Sequence, residues 1–137
     1  CRLKFRQARF DGHMTPIETD RASIIWPGSL GGNNWGSIAV DPVQGIAFVN
    51  SSHVLNYNRL IPREEADRIG LKPVAVPSYE NVAGPVAQTG TPYAASVAPF
   101  LSLLVAPCTE PPYGLVSAVD LVSGKLLWQK PFGTARS

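Results

Sequence analysis

At 137 residues and 14.7 kDa, with 45% hydrophobic and only 16% charged residues, the chain packs, and disordered composition is excluded. A formal net charge of +2 is too small to suggest nucleic acid or an anionic membrane surface as the partner, since phosphate binding needs a clustered basic face. Thirteen Pro and twelve Gly without a collagen period argue against long helices and for an all-β chain of short strands joined by turns.

Residues 1–23 mix charge and turn formers around Leu3, Phe5 and Phe10, and read as an extended lead-in outside any core. The chain opens at Cys1 without a basic stretch followed by an apolar one, and is expected to be a piece of a longer protein whose targeting or membrane segments lie upstream. The longest apolar stretch, Val97 to Pro107, is broken by Pro99 and Ser102 and falls short of a membrane span. Ser23-Ile24-Ile25-Trp26 ends at Pro27-Gly28, and the glycine-dense loop Leu30-Gly31-Gly32-Asn33-Asn34-Trp35-Gly36 follows. In such a loop the backbone approaches a ligand or a strand closely.

Two short apolar runs, Ser37 to Asp41 and Ile46 to Asn50, flank Pro42-Val43-Gln44-Gly45 and predict a hairpin. Pro62 to Gly70 reads as one short surface helix, with Pro at its first position, acids in the first turn, Arg68 near the end and Gly as terminator. Leu71 to Pro92 shows little periodicity and reads as a long connection. A second hairpin is predicted where Leu115–Asp120 and Lys125–Gln129 flank Leu121-Val122-Ser123-Gly124. Both hairpins share an apolar run ending in Asp and a turn with Gly, a similarity behind which a repeat architecture could stand.

Most isolated polar residues carry no chemistry by pattern. His13 and His53 lack companions at ligand spacing and read as surface or hydrogen-bonded histidines. Ser51-Ser52-His53 lacks the context of a nucleophile elbow. Glu64-Glu65 reads as a solvated helix face, and Asn50-Ser51-Ser52 meets the glycosylation rule as a short pattern common by chance. Cys1 and Cys108 fit no zinc pattern. A disulfide between them, worth about 4–5 kcal/mol by loop closure, and two unrelated thiols both stay open.

Ala118 to Trp128 fits A-x-D-x-x-x-G-K-x-x-W at every fixed position and resembles the tryptophan-docking motif of quinoprotein dehydrogenases. Its physics is local: Asp120 closes a turn, Gly124 takes the left-handed conformation, and Trp128 offers an indole to a neighbouring sheet. Pro27 to Gly36, Asp41-Pro42, Gly45 and Phe48-Val49-Asn50 are similar to the G-G-x-N-W, D-P-x-x-G, Y/F-V stretch of dehydrogenases that use pyrroloquinoline quinone (PQQ). Thr91-Pro92-Tyr93, Pro99 to Ser102, Pro107-Cys108 and Pro111 to Gly114 continue that order, so the resemblance to the C-terminal part of the membrane-bound glucose and quinate/shikimate branch runs over the whole chain.

That resemblance implies an all-β chain supplying about two blades plus a long insertion to an eight-bladed quinoprotein propeller. It assigns 1–23 to a lead-in, 24–55 to a cofactor-loop hairpin, 56–112 to the insertion with a helix near 62–70, and 113–137 to the docking hairpin. PQQ is a flat tricyclic ortho-quinone with three carboxylates, and its pocket needs in-plane donors and flat apolar walls. The family's Asn-Trp pair carries onto Asn34 and Trp35, with Asn50 a weaker candidate for the same ring edge; the bland alternatives are a turn, core filling and a strand cap.

The base, the calcium ligands and the cation near the quinone have no matching motif here, and Asp41 and Asp120 read as turn residues. The segment alone is therefore expected to be inactive. The implied parent oxidises glucose or quinate/shikimate-type alcohols, passes electrons to ubiquinone, holds calcium through residues outside this chain, and sits at the periplasmic face of the inner membrane. Standing alone, the chain is expected to leave strand edges and apolar faces uncovered. The rival reading is a non-enzymatic propeller scaffold that binds proteins. It accounts for the docking hairpin but not for the open loop at Gly31 to Gly36.

Overall fold

The computed structural model describes residues 1–29, 32–33, 37–71, 84–88 and 90–133. These residues form two compact units, each with its own four-stranded antiparallel sheet. Neither Cys1 nor Cys108 is a free thiol; both are disulfide-bonded. No helix among the described residues is long and apolar enough to cross a membrane.

The first unit comprises residues 1–25 and 56–100. It opens with helix α1, Arg2–Gln7, where the sequence reading expects extended chain. Arg2-Leu3-Lys4-Phe5-Arg6-Gln7 contains no Gly, Pro or β-branched residue, so nothing opposes a short helix. A helix this short is marginal in water, and the chain after it is pinned: Arg9 N–H donates to Ala22 O at 2.9 Å and Ile24 N–H to Arg9 O at 2.8 Å.

Strands β1 (Ser23–Ile25), β4 (Asn56–Pro62), β5 (Gly84–Ala87) and β6 (Tyr93–Val97) stand in the order β1-β4-β6-β5. Helix α2, Arg63–Arg68, lies inside the predicted range, but Pro62 is its N-cap rather than its first turn, with an extended ψ of 144°. Pro62 also pairs with Tyr93 as the last residue of β4, so the strand holds it extended. Ala66 on α2 is fully buried and packs with Ile61, Ala94 and Leu71. The stretch read as connection thus contributes one strand, β5, and β6 begins directly after it. Gly84-Pro85-Val86-Ala87 and Tyr93-Ala94-Ala95-Ser96-Val97 are too poor in alternating apolar residues to announce themselves.

Polar contacts do much of this unit's fastening. Arg63 Nη2 donates to the carbonyls of Gln88 and Tyr93, each at 2.7 Å, and Nη1 reaches Leu71 O at 3.3 Å. Glu18 accepts from Arg21 Nε at 2.9 Å and from Arg9 Nη1 at 3.0 Å. The Arg21 hydrogen bond, aided by that from Arg9, outweighs partial desolvation and holds the Glu18 carboxyl below its usual value.

The second unit comprises residues 26–55 and 101–137. Its strands β2 (Ile38–Asp41), β3 (Ile46–Ser52), β7 (Gly114–Asp120) and β8 (Leu126–Pro131) stand in the order β2-β3-β7-β8. The two predicted hairpins therefore join in one sheet, seamed by seven pairs from Ile46↔Asp120 to Ser52↔Gly114.

Their turns use one device. Asp41 Oδ1 accepts from the N–H groups of Val43 and Gln44 at 2.9 and 3.0 Å, and Asp120 Oδ1 accepts from those of Val122 and Ser123 at 3.0 and 2.6 Å. Gly45 and Gly124 then take left-handed φ of 66° and 67°. Leu121 N–H donates to Gly45 O at 2.8 Å and ties the two turns together.

Candidate functional site

The glycine loop is anchored on both sides of Asn50. Gly32 and Ser52 exchange two backbone hydrogen bonds of 3.1 Å, Gly28 N–H donates to Val54 O at 3.1 Å, and Ile38 pairs with Val49. The chain thus leaves the end of β3 at Gly32 and returns to it at Ile38, and the ends of the segment carrying Asn34 and Trp35 are fixed there. Those two residues lie outside the described residues. Gly32 at φ 68° and Ser37 at φ 54° are both left-handed. For Ser37, a residue with a Cβ, that conformation costs about 1–2 kcal/mol and sits directly beside the loop.

Asn50 lies on β3, paired with Val116, with its side chain exposed. Among the described residues its amide makes no hydrogen bond. It therefore presents a carbonyl and an NH₂ group at the strand end where the loop begins and ends. An amide of this kind has the chemistry to donate to a carbonyl oxygen on the edge of a planar ligand. Among the described residues, no cluster of three or more His, Cys, Asp or Glu side chains is placed to hold a metal ion.

The aspartates are committed to their turns. Asp120 is held below the ordinary carboxylate value, first by the Ser123 N–H, then by the Ser123 hydroxyl and the Val122 N–H, with slight desolvation opposing. His53 sits in the backbone ladder, its N–H donating to Tyr113 O at 2.8 Å. One polar atom escaped the sequence reading: Thr109 Oγ1 is buried without a partner among the described residues. A single Thr after Cys108 carries no pattern that would flag it.

The sheet bearing this site is apolar on both faces. Ala39, Phe48, Ala118 and Trp128 form one row across all four strands, and Phe48 and Trp128 approach to 6.1 Å between ring centroids at 46°. The opposite face carries Val40, Ala47, Val119 and Leu126. Trp128 remains 40% exposed, while Val40 and Leu126 are each more than half exposed. A sheet that leaves large apolar side chains exposed on both faces belongs to a layered or radial β-architecture, in which like sheets cover it.

That class has a particular member. The chain belongs to the PQQ family of glucose/ethanol/alcohol dehydrogenase β-propeller domains, whose model matches residues 1–137. It is 41% identical over 143 residues to the glycerol dehydrogenase large subunit of Gluconobacter oxydans (strain 621H), covering 100% of this chain and 19% of that protein. It is 40% identical over 138 residues to a probable quinate dehydrogenase (quinone) of Xanthomonas campestris pv. juglandis, covering 99% of this chain and 17% of that protein. With the quinoprotein glucose dehydrogenase of Escherichia coli (strain K12) the identity is 34% over 134 residues, covering 98% and 17%. The chain thus spans less than a fifth of the length of the curated relatives it matches. The resemblance read from the docking motif and the glycine loop leads to the same family.

Proposed function

We propose that the parent protein is a PQQ-dependent dehydrogenase that oxidises an alcohol carbon of a polyhydroxy or cyclic compound of the glucose or quinate/shikimate type and delivers the electrons to ubiquinone. The observation that carries this reading is the family match over all 137 residues, joined to a loop whose two ends are fastened beside an exposed amide. When bound, PQQ supplies the ortho-quinone that accepts two electrons from the alcohol.

This chain's share is binding and orientation. Asn34 and Asn50 offer amide donors to the rim of the ring system, and Trp35 offers a flat wall against which water is excluded. By the family resemblance the base and the calcium ligands belong to other parts of the parent, and Asp41 and Asp120 serve their turns. This segment alone is therefore inactive. The rest of the propeller covers the apolar faces, and upstream segments hold the parent at the periplasmic face of the inner membrane. Relatives named for glucose, quinate and glycerol support the substrate class, and a relative named as quinone-linked supports the acceptor.

The test is reconstitution of the full-length protein with PQQ and calcium, followed by dye reduction with glucose, quinate and glycerol. PQQ-dependent turnover of one of them is expected. Failure to take up PQQ would leave the scaffold reading in its place. Asn50→Ala is expected to weaken PQQ binding by about tenfold, the worth of one buried hydrogen bond.

A further inference from the structure

The first unit holds a cavity of about 410 Å³ that the sequence reading did not anticipate, lined by Gln7, Arg21, Ala22, Tyr57, Arg59, Ile61, Glu65 and Ser96. Tyr57, Arg59 and Ile61 alternate along β4 and share one face, and Ser96 on β6 is paired with Arg59 on that same face. Tyr57 is fixed by stacking on the buried Phe100 at 5.5 Å and 11°. With Ile61 and Ala22 it gives the site apolar surface.

The polar inventory is unbalanced. The lining has two guanidinium groups and one carboxylate. The Glu65 carboxylate is already saturated from one side, with both oxygens accepting from Arg59 Nη2 at 2.6 and 2.7 Å. Arg59 Nη1 and both terminal nitrogens of Arg21 make no hydrogen bond among the described residues, since Arg21 engages Glu18 through Nε alone. The Gln7 amide and the Ser96 and Tyr57 hydroxyls are likewise unengaged among the described residues. Each guanidinium already has a carboxylate partner, Arg21 in Glu18 and Arg59 in Glu65, yet Arg59 Nη1 and both Arg21 terminal nitrogens still point to no acceptor among the described residues. Donors exceed acceptors, and a site of this kind selects a ligand that brings a planar pair of anionic acceptor oxygens.

We infer that this cavity binds a small organic monocarboxylate, its carboxylate held between Arg21 and Arg59 and its apolar body lying along Tyr57, Ile61 and Ala22. The volume lies within the range of small-molecule sites. The inference stands apart from the reading of the loop at Asn50, which lies in the other unit.

The test is titration calorimetry on the full-length protein with benzoate, benzamide and acetate as probes. Benzoate is expected to bind saturably. Benzamide, which has the shape without the charge, and acetate, which has the charge without the body, are each expected to bind about tenfold more weakly. Arg21→Gln leaves Glu18 bridged to Arg9 at 3.0 Å and is expected to cost about tenfold in benzoate affinity. Arg59→Lys keeps a cation on Glu65 while removing the fork, and is expected to weaken benzoate as well. Equal binding of benzoate and benzamide, unchanged affinity in both variants, or no saturable binding would overturn the inference.

Discussion

The two sheets are alike in strand number and opposite in how they are specified. The second unit's sheet is written locally: each hairpin has its Asp, its left-handed Gly and its flanking apolar runs within about a dozen residues. The first unit's sheet joins β1 to a strand that begins at Asn56, and it relies on Arg63 to gather carbonyls from Leu71, Gln88 and Tyr93. A sheet built on turns depends on glycines and small gaps. A sheet built on clamps depends on a few long cationic side chains.

Substitutions that break each device should sharpen that contrast. The largest effect is expected from Gly114→Val, because even a Cβ there would stand 2.6 Å from Phe132 O and 3.3 Å from Ser51 O. A cost of about 3 kcal/mol should appear as roughly hundredfold faster hydrogen exchange of the β7 and β8 amides in the intact protein. Unchanged exchange would mean that the three strands separate freely at that point.

Arg63→Ala comes next. It strips charged donors from the three carbonyls, and about 2 kcal/mol of local stability should vanish from β5 and β6 while β7 and β8 keep their protection. Arg63→Lys should recover only part of this, since an ammonium lacks the planar fork that spans separate acceptors.

A smaller effect, of opposite sign, is expected at Val105. This exposed β-branched residue holds φ 62° in a turn closed by Ser102 N–H to Ala106 O at 2.8 Å. Val105→Gly should stabilise the turn by about 1 kcal/mol, the relief of the left-handed penalty less the extra chain entropy of glycine. Slower exchange at the Ser102 amide would show it.

The smallest change at neutral pH should follow Asp120→Asn, which keeps an oxygen for the turn. Asp120 has a folded value below its unfolded one, so its contribution is complete above the unfolded value and is lost as pH falls through the folded one. Acid titration of β7–β8 hairpin protection should therefore flatten in the variant below about pH 4. A parallel decline in both proteins would place the acid sensitivity elsewhere.

Legibility followed the same division. The second unit's hairpins could be read because Asp41-Pro42, Gly45, Asp120 and Gly124 state a conformation that few other residues adopt. The union of both hairpins in one sheet was hidden, since nothing in either strand announces a partner some seventy residues away. In the first unit, α1 went unseen because six residues carry too little periodicity, and β5 and β6 because Ala, Ser and Gly alternate with little contrast in hydropathy. At the site, Asn50 was named from a family pattern and stands exposed at the strand end that anchors the loop. The cavity at Arg21 and Arg59 was invisible, because its residues come from a lead-in, two strands and a helix that only folding assembles.

The seam between β3 and β7 has a consequence for synthesis. After Ser52 is made, roughly 60 more residues must emerge before Gly114 arrives to pair with it, about 3–12 s at ordinary ribosomal speeds. Through that interval the finished first hairpin shows a raw edge bearing Ile46, Ala47, Phe48 and Val49, the kind of strand that recruits a neighbouring nascent chain on the same polysome. The yield of this protein in a cell should therefore depend on elongation pace and on holdase chaperones more than its final architecture alone would suggest.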